Sequence, residues 1–160
     1  MKQVLAFFIM LLALAACSDK QVASNTGTPL DQFVDSITKA YPNYAGNITV
    51  QNKISAELEK RISPLPGILE GTKFQFDNVA EIGGSVLTMF SLADKTSAGV
   101  TTLIVSCDDF DKDVAATLDK TKNYKITGGT VVNFEAQRGM AEQWLYLGRV
   151  DVKDLKVEEY

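Results

Sequence analysis

The sequence predicts a mainly β (α+β) fold, a five-stranded barrel preceded by two amphipathic helices. Three observations carry this expectation. The hydrophobic period is near four over residues 30–62 and changes to two from Thr72 onward. Paired glycines and short polar clusters punctuate the second half at strand-length intervals. The order of elements there reads as three strands, a helix and two strands. With 160 residues, 46% of them apolar and 22% charged, the chain can build one folded core, and disorder is not expected.

Taken in order, the elements begin with an address. Met1-Lys2-Gln3 is a short basic start, and residues 4–16 are uncharged and almost wholly apolar. Such a run is too short for a hydrocarbon layer of about 30 Å, which needs roughly 20 residues. A basic start before a short apolar core is the pattern of a secretory signal peptide. It ends in Leu14-Ala15-Ala16-Cys17, which resembles the lipobox of bacterial lipoproteins. The resemblance implies cleavage after residue 16 and acylation of Cys17 with diacylglycerol and palmitate. Two or three acyl chains anchor stably where one does not. In Gram-negative lipoproteins an Asp directly after the Cys retains the protein in the inner membrane. Here Ser18 follows and Asp19 comes one later, so the resemblance implies an outer-membrane anchor facing the periplasm.

Residues 17–28 are small and polar and read as a tether. Residues 29–66 read as a helical pair. Thr28 is a suitable N-cap, Pro29 a suitable first residue, and Asp31 suits the first turn. Leu30, Phe33, Val34, Ile37 and Ala40 follow at helical spacing, and Pro42-Asn43 ends the run. A second helix is expected over residues 49–62, with Val50, Ile54, Leu58 and Ile62 on one face and a Glu57–Arg61 pair. Ser63-Pro64-Leu65-Pro66-Gly67 stops it.

Residues 67–160 read as the barrel. Phe74 and Phe76 alternate with polar neighbours, Gly83-Gly84 turns the chain, and Val86, Thr88, Phe90 and Leu92 alternate with Leu87, Met89 and Ser91. A loop at residues 94–99 leads into a β-branched run over residues 100–107. Residues 108–120 suggest a helix, with Phe110, Val114 and Leu118 on one face. The fourth strand would put Tyr124, Ile126, Thr130, Val132 and Phe134 on one face, with Gly128-Gly129 letting it coil. After a loop at residues 136–142, the last strand is expected over residues 143–152. A bulge at Gly148 would turn Leu145, Leu147, Val150 and Val152 inward, and Trp144, Tyr146, Arg149 and Asp151 outward.

Three strands, a helix and two strands is the order of the OB-fold, a five-stranded Greek-key barrel. Another small barrel or an open α+β sheet is the rival. The segment Lys125-Ile126-Thr127-Gly128-Gly129-Thr130-Val131-Val132-Asn133-Phe134, with Val105-Ser106-Cys107 ending strand three, resembles the tRNA-anticodon-like OB families. These include many envelope lipoproteins. The two added helices depart from that pattern.

Composition narrows the chemistry. There is no His, which removes the commonest general base and metal ligand and excludes Ser-His and Cys-His mechanisms. If Cys17 is acylated, Cys107 is the only thiol, and an intramolecular disulfide is impossible. Ending an apolar strand, with acids following, Cys107 reads as a buried structural residue. Asp109, Asp111 and Asp113 space like the first ligands of a calcium loop, but Val114 and Lys120 stand where Gly and Glu are needed. The alternative is that Asp108, Asp109 and Asp111 cap a helix. Glu158-Glu159 sit at a charged terminus, with nothing to place them in a cleft. No enzyme activity and no cofactor are therefore expected. Net charge is −4 and the Lys and Arg do not cluster, so nucleic acid is not an expected partner.

What remains is binding: a lipid-anchored envelope protein that recognises a protein, peptide or glycan. The alternative class is a structural or stress-related envelope protein without a small ligand. The candidate surface is the outer face of strand two, with Leu87 and Met89, since OB-folds bind ligand around strands two and three. The competing use of that face is to receive the two helices. The rim would then be the site, with Arg138, Trp144 and Tyr146, residue types enriched at interface hot spots.

Overall fold

The computed structural model describes residues 27–44, 46–92, 100–136 and 144–160, with the side chains of Val100 and Trp144 excepted. The signal peptide, Cys17, most of the tether, the loop at residues 94–99 and Arg138 lie outside the described residues.

Helix α1 runs Pro29–Ala40, and its start is a capping box. The Thr28 hydroxyl accepts from the Asp31 N–H, while the Asp31 carboxylate accepts from the Thr28 N–H at 2.9 Å. Two of the orphan donors at the helix start are thereby satisfied. Helix α2 runs Ile48–Glu59, with the Asn47 side chain accepting from the Val50 N–H. It stops three residues short of the expected end, although Ile62 is still buried. The expected Glu57–Arg61 pair does not form. Glu57 meets Lys60 at 2.7 Å, and the Arg61 guanidinium lies over the Phe33 ring at 5.4 Å. That stacking joins the segment just after the second helix to the first helix and covers the face of an aromatic ring, which a surface ion pair would not do.

The rest of the chain is mainly strand. β1 is Phe74–Ile82, β2 Ser85–Leu92, β3 Val100–Cys107, β4 Asn123–Glu135 and β5 Trp144–Glu159. They form one sheet that closes in a ring in the order β1-β2-β3-β5-β4. Every neighbouring pair is antiparallel except β3 with β5, which run parallel. The seam between β1 and β4 is short, with Phe74 opposite Tyr124 and Gln75 opposite Asn123.

The predicted parity of the last strand holds, and for the predicted reason. The β3–β5 register shifts between Thr102 and Leu103, which leaves Leu147 extra beside Gly148. Leu145, Leu147, Val150 and Val152 are then all buried. Gly148 has φ +129°, and a Cβ there would come within 2.8 Å of the Glu135 carbonyl and the Phe134 ring. Only glycine fits both the backbone and the space. The strand runs seven residues further than expected, because Lys153, Lys156, Val157 and Glu158 still pair along β4.

Two other expectations fail. The helix at residues 108–120 shrinks to α3, Lys112–Ala115. Phe110 is buried ahead of it, its N–H donating to the Val86 carbonyl, but Val114 is exposed. With only Ala115 and Leu118 partly buried, no apolar stripe pays the nucleation cost of a longer helix. In β4, Thr130 and Val132 face solvent instead of sharing a face with Tyr124 and Ile126. Register shifts around Gly128 and between Val131 and Asn133 break the alternation, and Val131 takes the inward position opposite Val152.

Inside the ring Phe90 is fully buried at the centre of an aromatic group. Its ring centroid is 5.9 Å from Phe76, 6.1 Å from Phe110 and 5.9 Å from Tyr124. Leu30, Phe33, Val34, Ile54 and Leu58 of the helices belong to the same continuous buried cluster. The helical pair packs on β5 and on the 3-10 turn Gly67–Leu69, and not across β2.

Candidate binding face

Because the helices settle elsewhere, the outer side of β2 and β3 is left as a sheet surface. Strand register lays its side chains in rows. One row runs Asn78, Met89, Ser106, Asp151, Asn133 across β1, β2, β3, β5 and β4. The next runs Gln75, Ser91, Ile104, Arg149, Glu135 across the same five strands. Leu87 stands opposite Ala80, and Tyr146 stands opposite Thr102. Leu87, Met89, Ile104 and Tyr146 are each half-buried. Sequence parity thus correctly groups Leu87 and Met89 with Tyr146 and Arg149 on the outside of the sheet.

The middle of the face is a hydrogen-bonded latch. The Ser106 hydroxyl, fully buried, donates to Asp151 Oδ1. Asn133 Nδ2 donates to Asp151 Oδ2 at 3.0 Å. Arg149 Nε donates to Asp151 Oδ1 at 2.8 Å and to Ser106 Oγ at 3.1 Å. Burial pushes the Asp151 carboxyl up, but donation from Ser106, Asn133 and Arg149 outweighs it and holds the group below the usual aspartate value. The Tyr146 phenol is pushed up, chiefly by burial. Three strands are tied through one carboxylate, and the guanidinium orientation is fixed through Nε. Among the described residues no acceptor meets its terminal N–H groups. The face can therefore present fixed donors and acceptors beside half-buried apolar side chains.

Ser106 and Asn133 were not singled out by the sequence. The signal for them was there: Ser106 is a polar residue of outward parity in the apolar second half of β3, and Arg149 and Asp151 are two apart on the next strand but one in the chain. Arg138 lies outside the described residues. Trp144 begins β5 opposite Val100, and its side chain lies outside them too.

The aspartate series does not assemble a metal site. Asp111 caps α3, its Oδ1 accepting from the N–H groups of Asp113 and Val114 at 2.9 Å. Asp109 Oδ1 accepts from the Cys107 thiol at 3.1 Å, and Asp113 is exposed in the first turn of α3. Among the described residues no three His, Cys, Asp or Glu side chains are placed to hold a metal ion. Burial, and then the Asp109 contact, push the Cys107 thiol up to about 11, so thiolate chemistry at neutral pH is not served. Glu158 and Glu159 pair with Lys125 at 3.0 Å and Lys122 at 2.7 Å along the β4–β5 ladder.

Compared with protein-family models, with curated proteins and with solved structures, the chain matches none of them.

Proposed function

We propose that the chain is a lipid-anchored envelope protein whose closed sheet is an OB-like Greek-key barrel, and that it acts by binding. Its ligand is a protein, peptide or glycan held on the outer face of β2, β3 and β5. The observation that carries this reading is the half-exposed set Leu87, Met89, Ile104 and Tyr146 around the Ser106–Asp151–Arg149–Asn133 latch, on a face whose β2 and β3 strands neither α1 nor α2 packs across among the described residues. The ring order with β3 parallel to β5 supports the OB-like reading. An extended partner would lay its polar groups on the latch and its apolar side chains against Met89 and Ile104.

The experiment is capture of envelope components on the immobilised full chain. Met89→Asp and Tyr146→Ala are compared with wild type and with Glu57→Ala on the exposed side of α2. Capture lost in the first two and kept in the third is expected. Equal capture by all four would remove the face from the account. The anchor has its own test: Cys17→Ala should lose acyl labelling and membrane fractionation, and a wild type without lipid would overturn it.

A further inference from the structure

We propose that the cleft between the first turns of α1 and the turn Gly67–Leu69 binds a phosphate monoester, with the Arg61 guanidinium as its anchor. The cleft has a volume of about 340 Å³, within the range of small-molecule sites. One wall is a single face of α1, with Pro29, Gln32, Phe33 and Ser36 at helical spacing. Gly67 and Ile68 belong to the opposite wall, and Arg61 completes the lining. Among the described residues Arg61 is the one charged side chain in that lining, and it is positive in a chain of net charge −4. The nearby acids are tied or turned elsewhere. Asp31 and Asp35 lie off the cleft-facing row of α1, and the Asp31 carboxylate accepts from the Thr28 N–H and hydroxyl, each at 2.9 Å. Glu57 is paired with Lys60 at 2.7 Å.

The guanidinium is positioned but its donors are unspent. It lies 5.4 Å from the Phe33 ring centroid, and attraction to a ring uses none of its hydrogen-bond donors. Among the described residues no acceptor meets its N–H groups and no carboxylate pairs with it. Arg149 differs, since Asp151 already balances its charge at 2.8 Å. In the same lining Gln32 Nε2 donates to the Gly27 carbonyl at 3.1 Å, which orders the amide and leaves its second N–H without an acceptor among the described residues. Two N–H groups of the Arg61 fork and one of the Gln32 amide match the three oxygens of a phosphate monoester, where a carboxylate offers two. Pro29, Phe33 and Ile68 make much of the remaining wall apolar, which suits the carbon side of an ester over the hydrated inorganic ion. The site is separate from the outer sheet face and rests on neither the latch nor the lipid anchor.

A soluble ester and a lipid headgroup present the same group, and the test separates them. It is NMR of the purified full chain in uncharged detergent, read at the arginine Nε–H and Gln32 side-chain amide signals. The chain has three arginines, so the signal missing from Arg61→Lys is that of Arg61. The probes are phenyl phosphate, dihexanoyl phosphatidic acid, inorganic phosphate, and dihexanoylglycerol, which lacks the phosphate. Saturable movement of the Arg61 signal with one or both esters, and none with dihexanoylglycerol, is expected. Response to phenyl phosphate alone assigns a soluble ligand, and response to phosphatidic acid alone a headgroup. Inorganic phosphate should bind several-fold more weakly than the better ester. Arg61→Lys keeps a cation beside Phe33 but loses the fork, so binding followed at Gln32 should weaken about tenfold or more with the urea midpoint unchanged. Gln32→Ala, at an exposed position, should also weaken binding and judges the site if Arg61→Lys fails to fold. Lys60→Ala removes a neighbouring cation outside the lining and should leave binding unchanged. No saturable movement with either ester, movement at Arg149 or Arg138 in place of Arg61, inorganic phosphate binding as tightly as the esters, or equal loss in Lys60→Ala and Arg61→Lys overturns the proposal.

Discussion

Removing the Asp151 carboxylate tests the latch that orders the face. Asp151→Ala takes the acceptor from the Ser106 hydroxyl, Asn133 and Arg149 at once. Ser106 is fully buried, so its bond counts at the value for a charged acceptor, about 1.5–3 kcal/mol. The Arg149 side chain is 39% exposed, and its pairing counts at the surface value, roughly 0.2–1 kcal/mol. Asn133 is exposed and adds little. The expected loss is therefore about 2–4 kcal/mol at neutral pH. Its pH dependence has a definite sign. The folded-state pKa lies below the unfolded one, so the contribution is fully present above the unfolded value of about 3.9. It is lost as pH falls through the lower, folded value. Urea melts of wild type and variant, run from pH 7 downward, should show a constant gap that closes only below about pH 4. A gap under about 0.5 kcal/mol at pH 7, or one that widens on acidification, would refute the latch.

Other consequences are checked by simpler means. Phe90→Ala, at the centre of three ring contacts, should cost at least about 3–5 kcal/mol in a urea melt, and a loss below about 1 kcal/mol would mean that the ring interior is not packed around it. Cys107, buried and with its thiol pushed up to about 11, should resist iodoacetamide at pH 8 until urea unfolds the chain, as read by peptide mass; rapid native labelling would contradict its burial.

How far the sequence could be read varied with the reach of the interactions. The capping box at Thr28 and Asp31, the turn at Gly83-Gly84 and the alternation of β2 are local, and they were legible. So was the bulge at Gly148, because four apolar residues of mixed parity in one strand have no other common face. The short α3 was not legible. Its periodic apolar residues lacked a surface to pack on, and that depends on where β2 places Val86. Arg61 left its expected helix partner for Phe33 of another helix, which spacing along one helix cannot reveal. The reversal at Thr130 and Val132 came from register shifts against β5. The outer face was half legible: Leu87, Met89, Tyr146 and Arg149 follow from parity, but the row linking Met89 to Ser106 and Asp151 is set by the parallel β3–β5 register.

The most direct test of the binding account is hydrogen exchange of the full chain alone and bound to the envelope component it captures. The account predicts added protection over residues 87–91, 102–106 and 146–151, the strands that carry the latch and its apolar neighbours. Protection confined to α1 and α2, with those three strands unchanged, would contradict it.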